Sequence, residues 1–173
     1  RLLKRSLKEP GYRAGILERF GFFRSKNPGK LVWIHAVSAG ETIAAAPLVQ
    51  SLLGQGYVCL VTSMTPTGRE RVKALLAGEV EDCFVPYDLP GSINRFLRNN
   101  EPRMLITIDT ELWPNMIEAC AQRGVPTLLA NGRLSSRSAK GYRRIKPLIF
   151  PMLRSLSLLA VQTPQHKDRF VSL

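Results

Sequence analysis

Short apolar segments alternate with segments of helical periodicity along most of this chain, and this alternation limits its fold more than any other feature. The apolar segments are rich in Val, Leu and Ile, as is typical of strands buried on both faces of a sheet. We predict strands at residues 31–37, 57–63, 82–86, 104–109, 125–131 and 157–163. We predict helices at residues 42–53, 66–76, 92–98 and 114–123, with a helix at 135–154 that prolines kink or divide. Strands separated by helices imply right-handed crossovers and a parallel sheet, so the predicted fold is α/β and doubly wound.

The net charge of +12 is concentrated in two blocks. Residues 1–30 contain nine Lys or Arg against Glu9 and Glu18. The second block, residues 133–154, contains no acid and seven basic side chains: Arg133, Arg137, Lys140, Arg143, Arg144, Lys146 and Arg154. Any one of these can be an ordinary solvated residue. As blocks they indicate a polyanionic partner, which is a membrane surface, a phosphorylated ligand or nucleic acid.

The length of 173 residues suits one domain with a core of its own. Residues 31–173 carry the strand and helix pattern and are predicted to form it, whereas residues 1–30 are predicted to form a basic, membrane-proximal segment. No apolar run approaches the roughly 20 residues that span a membrane. The chain lacks a start methionine and ends inside a predicted helix, so we expect a fragment. Three scattered cysteines without a CxxC pair favour reduced thiols, and no cluster has metal-ligand spacing, so no metal is expected.

Two glutamates follow strands that we expect to be neighbours. In a doubly wound sheet, ligands bind beyond the carboxyl ends of the strands, where the strand order reverses. The first and fourth strands lie side by side there in the common order. The loop after the first strand is SAGET (38–42) and carries Glu41, and the loop after the fourth is TELWPN (110–115) and carries Glu111. Both carboxylates should therefore open into one crevice.

Each glutamate has a structural and a functional interpretation. A carboxylate in the first turn of a helix gains about 0.3–1 kcal/mol from the helix dipole, which suffices to explain Glu41. Alternatively, Glu41 accepts a proton from a bound hydroxyl, although the helix terminus should lower its pKa and weaken it as a base. Glu111 either caps the next helix or stabilises positive charge on a sugar carbon. His35, inside the first strand, is interpreted as a core residue.

The remaining polar loops also allow two interpretations. The first loop has one glycine, Gly40, and neither a dinucleotide nor a phosphate-loop fingerprint. TSMTPTGRE (62–70) and ANGRLSSRSAKGY (130–142) place hydroxyls, glycine and arginine after a strand. Their hydroxyls either cap helices or bind sugar, and the basic residues of the second segment, which have no acid beside them in the sequence, are expected to bind phosphate. The chain has no nucleic-acid recognition signature, so we expect no such partner.

Several motifs together resemble the N-terminal half of the 3-deoxy-D-manno-octulosonic acid (Kdo) transferases. They are HAVSAGE, VTSMTPTGRERV, PYDLPGSINRFL, TELWPN and NGRLSSRSAKGY, with KEPGYR and ERFGF near the start. The resemblance implies a metal-free, cofactor-free GT-B glycosyltransferase of two Rossmann-like domains. Such an enzyme moves Kdo from CMP-Kdo to the lipid A precursor with inversion, in lipopolysaccharide biosynthesis at the cytoplasmic face of the bacterial inner membrane. The N-terminal domain binds the acceptor, and an absent C-terminal domain binds most of the donor, so this chain alone is expected to be inactive.

The resemblance also assigns roles to individual residues. Glu41 matches the family's general base, and Glu111 matches its transition-state stabiliser. The acceptor is expected to contact Ser38, Ala39, Gly40, Thr65, Thr110, Arg133, Ser135, Arg137 and Lys140. Apolar residues among the basic blocks are expected to enter the membrane interface: Phe20, Phe22, Phe23, Ile149 and Phe150. The family is peripheral or singly anchored. Asp109, where the family often has Glu, is a departure that removes no catalytic group. The alternative is a non-catalytic basic module that binds an anionic membrane surface or nucleic acid.

Overall fold

The computed structural model describes residues 15–27, 31–76 and 78–173 and contains one six-stranded parallel sheet. Its strands are β1 Leu31–His35, β2 Val58–Ser63, β3 Glu81–Phe84, β4 Met104–Ile108, β5 Thr127–Gly132 and β6 Leu158–Val161. The helices in these ranges are α1 Ile16–Arg19, α2 Ala39–Gly54, α3 Pro66–Leu76, α4 Pro90–Asn100, α5 Pro114–Gln122, α6 Ser136–Arg144, α7 Lys146–Arg154 and α8 Pro164–Val171. All six predicted strands exist, and the helix predicted at 135–154 is divided at Ile145.

The strand order is β3-β2-β1-β4-β5-β6, and every neighbouring pair is parallel. The chain builds outward from β1 to β3, returns to place β4 against β1, and continues outward to β6. The predicted doubly wound α/β, Rossmann-like fold is thereby confirmed, and so is the reversal between β1 and β4. In the β1–β4 register His35 lies opposite Thr107, so the loops after these strands leave the sheet side by side.

The sheet is buried on both faces because successive strand residues point to opposite sides. On one face Trp33 of β1 packs with Phe96 of α4, with ring centroids 4.6 Å apart, and Met116 of α5 joins the same cluster. On the other face Ile34 packs in a cluster with Val49 of α2 and residues of α3. A third cluster forms beneath α6, α7 and α8. This double burial explains why the strands read as continuous apolar runs.

Residues 15–27 lie against β3, which ends the sheet. The Glu18 carboxylate accepts a hydrogen bond of 2.8 Å from the backbone N–H of Phe84 in β3. The buried Arg19 guanidinium lies 4.2 Å from the centre of the Phe84 ring. Covering an edge strand in this way prevents its free backbone groups from pairing with another chain. The rest of the predicted 1–30 segment lies outside the described residues, and its position near a membrane stays a prediction.

Candidate active site at the carboxyl edge of the sheet

Glu41 is fixed by the turn that precedes it. Ser38 is the N-cap of α2, and its hydroxyl oxygen accepts from the Glu41 backbone N–H at 3.4 Å. In return, Glu41 Oε1 accepts the Ser38 hydroxyl proton at 2.9 Å, and Oε2 accepts from the Val37 backbone N–H at 2.7 Å. This reciprocal capping resembles a capping box. It also ends β1 at His35, two residues earlier than predicted, because the Val37 N–H turns to the carboxylate instead of the sheet.

Glu111 does not cap the helix that follows it. The N–H groups of Asn115 and Met116, in the first turn of α5, donate to the Asp88 carboxylate at 3.2 and 2.8 Å. The capping interpretation of Glu111 is therefore wrong, and Asp88 is a residue that sequence reasoning missed. Glu111 Oε2 instead accepts from the Trp113 indole Nε1–H at 2.6 Å, which holds the carboxylate at the end of β4.

Trp113 packs against a group of buried, hydrogen-bonded side chains below the site. Its ring meets the His35 ring edge-on, with centroids 5.0 Å apart. His35 Nδ1 lies 3.2 Å from the Thr62 hydroxyl, which also accepts from Trp33 Nε1–H at 2.8 Å. Burial lowers the pKa of His35 to about 4, against a smaller opposing effect of the Thr62 backbone. His35 is thus a neutral core residue, as predicted, and it supports the Trp113 ring.

The two glutamates share one electrostatic environment. Burial raises the pKa of Glu41, the hydrogen bonds from Val37 and Ser38 oppose the rise, and the charges of Glu111 and Asp109 add to it. Burial also raises the pKa of Glu111, with the Trp113 hydrogen bond opposing and the Asp109 charge adding. The expectation that the helix terminus lowers the pKa of Glu41 is wrong, because burial outweighs the local donors. A raised pKa makes a carboxylate a better proton acceptor.

A network of side chains ties together the ends of β4, β5 and β6. Asp109 Oδ1 accepts from Asn131 Nδ2 at 2.7 Å, and Asn131 Oδ1 accepts from Gln162 Nε2 at 2.7 Å. Arg133 forms an ion pair with Asp109, and the Thr110 hydroxyl donates to the Arg133 carbonyl. Arg133 therefore has an acidic partner in the fold, although no acid lies beside it in the sequence. Sequence reasoning could not find this pair, because its members are 24 positions apart.

The other predicted binding residues lie around the same edge. Ala39 and Gly40 begin α2, and a Cβ at Gly40 would meet only Ser38 Oγ, at 3.9 Å. Thr65 Oγ1 accepts from the Gly68 N–H and Ser135 Oγ from the Ser138 N–H, each at 3.0 Å. The capping interpretation is confirmed for these two hydroxyls, and their contact with a sugar stays a prediction. Exposed side chains of α6 complete the set: Arg137 and Lys140.

Tyr142 of α6 is a further neighbour that the sequence analysis did not single out. Burial raises the pKa of its phenol, and the negative charge of Glu111 adds to the rise. Tyr142 packs with Leu112 against the third apolar cluster. The second half of α6 is thereby brought next to the loop that carries Glu111. Among residues 15–27, 31–76 and 78–173, no group of three or more His, Cys, Asp or Glu side chains is placed to hold a metal ion.

The basic surface includes only some of the apolar residues that we expected. Phe20, Phe22 and Phe150 are 40%, 55% and 42% exposed. Ile149 is buried and Phe23 packs against the first core cluster, so these two cannot enter a membrane interface without rearrangement. The cations of α7 lie over the exposed Phe150 ring, Lys146 at 5.8 Å and Arg154 at 5.6 Å from its centre. Within the described part of the chain, no helix has the length and hydrophobicity to cross a bilayer.

Comparison with known proteins agrees with these motifs. The sequence pattern of the family described as 3-deoxy-D-manno-octulosonic-acid transferase (kdotransferase) matches residues 14–173. The chain belongs to this family. A Kdo transferase of Haemophilus influenzae is 43% identical over 173 residues, covering 97% of this chain and 40% of that protein. One of Bordetella pertussis is 37% identical over 159 residues, covering 87% and 37%. The chain thus spans about two fifths of the length of these relatives.

Solved structures support the fold. A UDP-GlcNAc 2-epimerase of Neisseria meningitidis, bound to UDP-GlcNAc, matches with a TM-score of 0.59 at 14% identity. The match covers 83% of this chain and 43% of the epimerase. At this identity the likeness concerns the Rossmann-like architecture alone.

Proposed function

We propose that this chain is the acceptor-binding half of an inverting glycosyltransferase that moves Kdo from CMP-Kdo to the lipid A precursor. Membership of the family supports the reaction class. The observation that carries the assignment to named residues is the pairing of Glu41 with Glu111. They lie on the loops after adjacent strands, and the charge of Glu111 adds to the rise in the pKa of Glu41, which supports their lying near each other.

The proposed reaction is a single displacement. A hydroxyl oxygen of the acceptor forms a bond to the anomeric carbon of Kdo, and Glu41 takes the hydroxyl proton. The bond from that carbon to the CMP phosphate oxygen breaks, and the phosphate leaves with the electron pair. Positive charge develops on the sugar between these events, and the nearby carboxylate of Glu111 stabilises it. No redox step or metal is needed for this balance.

The acceptor proposal draws on the charge around the crevice. The lipid A precursor is a phosphorylated, acylated disaccharide, and therefore an anionic amphiphile in a membrane. We propose that Arg133, Arg137 and Lys140 contact its phosphate, and that Ser38 to Gly40, Thr65, Thr110 and Ser135 contact its sugars. Each Lys or Arg near an anionic surface adds about 1 kcal/mol of attraction. We propose that the exposed Phe150, between Lys146 and Arg154, rests on the cytoplasmic face of the inner membrane.

Binding of the donor is assigned to the part of the full-length protein that this chain does not include. The relatives are more than twice as long as the matched region. A second Rossmann-like domain there supplies most of the contacts to CMP-Kdo, and the isolated chain is expected to show no transfer.

The test is Glu41→Gln in the full-length protein, assayed with CMP-Kdo and lipid A precursor. Glutamine keeps an oxygen for the Val37 N–H but cannot take a proton. We expect kcat to fall by about 10²- to 10⁴-fold with an unchanged melting temperature. Glu70→Gln, at an exposed position of α3, is the matched control and should keep the normal rate. A near-normal rate in Glu41→Gln would remove Glu41 as the base.

A further inference from the structure

The Arg133–Asp109 ion pair at the rim of the crevice joins an exposed side chain to a largely buried one. Asp109 follows β4, and its side chain is 17% exposed, whereas the Arg133 side chain, after β5, is 55% exposed. Asn131 donates to Asp109 Oδ1 at 2.7 Å and is itself held by Gln162 at 2.7 Å. The carboxylate therefore keeps its place through contacts that do not involve Arg133. The guanidinium has room to turn toward the crevice.

The two loops also keep their shape without the guanidinium. Asp109 and Asn131 have φ of 60° and 62°, a left-handed conformation that is uncommon for residues with side chains and occurs most at functional sites. The Asp109 N–H donates to the Ala130 carbonyl at 2.9 Å. The Arg133 N–H donates to the Thr110 hydroxyl at 3.2 Å, and that hydroxyl donates to the Arg133 carbonyl. These main-chain bonds hold the position of Arg133 whichever way its side chain points.

The ion pair is weak enough to exchange. Ion pairs with an exposed member contribute little to stability, because water screens them and because they restrict a long side chain. A phosphate monoester carries about 1.5 to 2 negative charges and three acceptor oxygens, so it binds a guanidinium more strongly than a single carboxylate does. Such a group reaching the crevice can therefore take the guanidinium away from Asp109.

We propose that Asp109 is the exchange partner of Arg133, holding the guanidinium until a phosphate group of the ligand replaces the carboxylate. The purpose of this exchange rests on the proposed function, in which the acceptor is phosphorylated. The charged or titratable groups around Asp109 are Arg133, Glu41 and Glu111, with Tyr142 beside Glu111. When the Arg133 guanidinium moves to the phosphate, the negative charge of Asp109 is no longer neutralised and acts more strongly on Glu41. The pKa of Glu41 then rises further, so the base becomes stronger once the ligand has bound.

The test is a double-mutant cycle on this chain, with inorganic phosphate as the probe and calorimetry at fixed salt as the measurement. The variants are Asp109→Asn, Arg133→Gln and the double variant. Asparagine tolerates the left-handed conformation and keeps an oxygen for Asn131. We expect Asp109→Asn to bind phosphate about 1.4- to five-fold more tightly, because the guanidinium no longer has to leave a partner. Arg133→Gln should weaken binding, and Asp109→Asn should then have no further effect.

Two outcomes would overturn the exchange. One is unchanged phosphate affinity in Asp109→Asn. The other is tighter binding that persists in the Arg133→Gln background, since Asp109 would then act by general repulsion. Asp168→Asn, an exposed position on α8, removes the same charge elsewhere and should leave affinity unchanged.

The two experiments test the proposed function and the exchange of Arg133 separately. If the effects of Asp109→Asn and Arg133→Gln on phosphate affinity are coupled but the full-length protein transfers no Kdo, the function is rejected and the exchange is kept. Transfer together with an additive cycle rejects the exchange alone. A second measurement follows the Glu41 carboxyl carbon by NMR as pH is varied. Phosphate should raise the pKa of Glu41 in the unmodified chain and leave it unchanged in Arg133→Gln.

Discussion

Replacing Trp113 by phenylalanine removes one hydrogen bond from Glu111 and keeps an aromatic ring against His35. The indole Nε1–H donates to Glu111 Oε2 at 2.6 Å, and phenylalanine has no such donor. A hydrogen bond to a charged group contributes about 1.5–3 kcal/mol. Its loss affects the ionised form of Glu111 more than the neutral acid, so it disfavours the charge on which the proposed stabilisation of the sugar depends. At a fixed acidic pH the expected fall in kcat is about ten- to a hundred-fold.

The pH dependence separates this effect from simple damage to the fold. The Trp113 bond lowers the pKa of Glu111, so its removal raises that pKa. The acid limb of the kcat profile should therefore move to higher pH, and the rate should recover as pH increases and Glu111 ionises. KM should change little, since the acceptor contacts are elsewhere. The assay is initial-rate transfer by the full-length protein over a pH series that runs from acid to alkaline.

Trp33→Phe is the matched control. It removes the same group from another tryptophan, whose indole N–H donates to Thr62 in the core at 2.8 Å. Both variants leave a similar void, but only Trp113 contacts Glu111. Trp33→Phe should lower the free energy of unfolding and leave the kcat profile in place. If Trp113→Phe lost rate equally at every pH, as a damaged fold would, the role of Trp113 in positioning Glu111 would be rejected.

Three further predictions concern stability and membrane binding. Because the pKa of His35 is about 4 in the folded chain and 6.5 ordinarily, only the unfolded state takes up its proton between these values. The free energy of unfolding should therefore fall by about 3 kcal/mol from above pH 6.5 to pH 4. Urea titrations at each pH measure this free energy, and in His35→Leu it should change less steeply with pH. Gly21→Ala should lower the free energy of unfolding by more than about 1 kcal/mol. The alanine would be strained in the left-handed conformation, and its Cβ would lie 2.2 Å from the Ser92 carbonyl oxygen. Gly56→Ala, at a similar φ with open space, should cost less, and equal losses in thermal unfolding would contradict the clash. The affinity of the chain for anionic vesicles should fall with added salt and with Phe150→Ser. An affinity that neither change alters would count against the proposed membrane surface.

The parts of the fold that depend on local sequence were predictable. Short runs such as LVWIHAV and MLITID are typical of strands buried between helices, and the common doubly wound strand order predicted which loops meet. His35 was correctly placed in the core because the run around it is apolar. The site was located for the same reason, since Glu41 and Glu111 each follow one of the two central strands.

Interactions between distant positions were not predictable from the sequence. Asp88 caps a helix by accepting from Asn115, which lies 27 positions later, and nothing near Asp88 indicates that partner. The Arg133–Asp109 pair forms because two left-handed residues turn neighbouring loops toward each other. The direction of the pKa change at Glu41 depends on burial, which is decided by the packing of several elements. In each case the sequence contained the residues but not their distance.

The hydrogen-bond partners of the two glutamates favour different roles for them. A general base must be stable in both protonation states, and Ser38 allows this for Glu41, because a hydroxyl can donate to the carboxylate and accept from the carboxylic acid. An indole N–H can only donate, so it binds the charged carboxylate of Glu111 more strongly than the neutral acid. The Ser38 hydroxyl can reverse its role when Glu41 takes up a proton, whereas Trp113 opposes protonation of Glu111. This asymmetry supports Glu41 as the base and Glu111 as the group that stabilises charge.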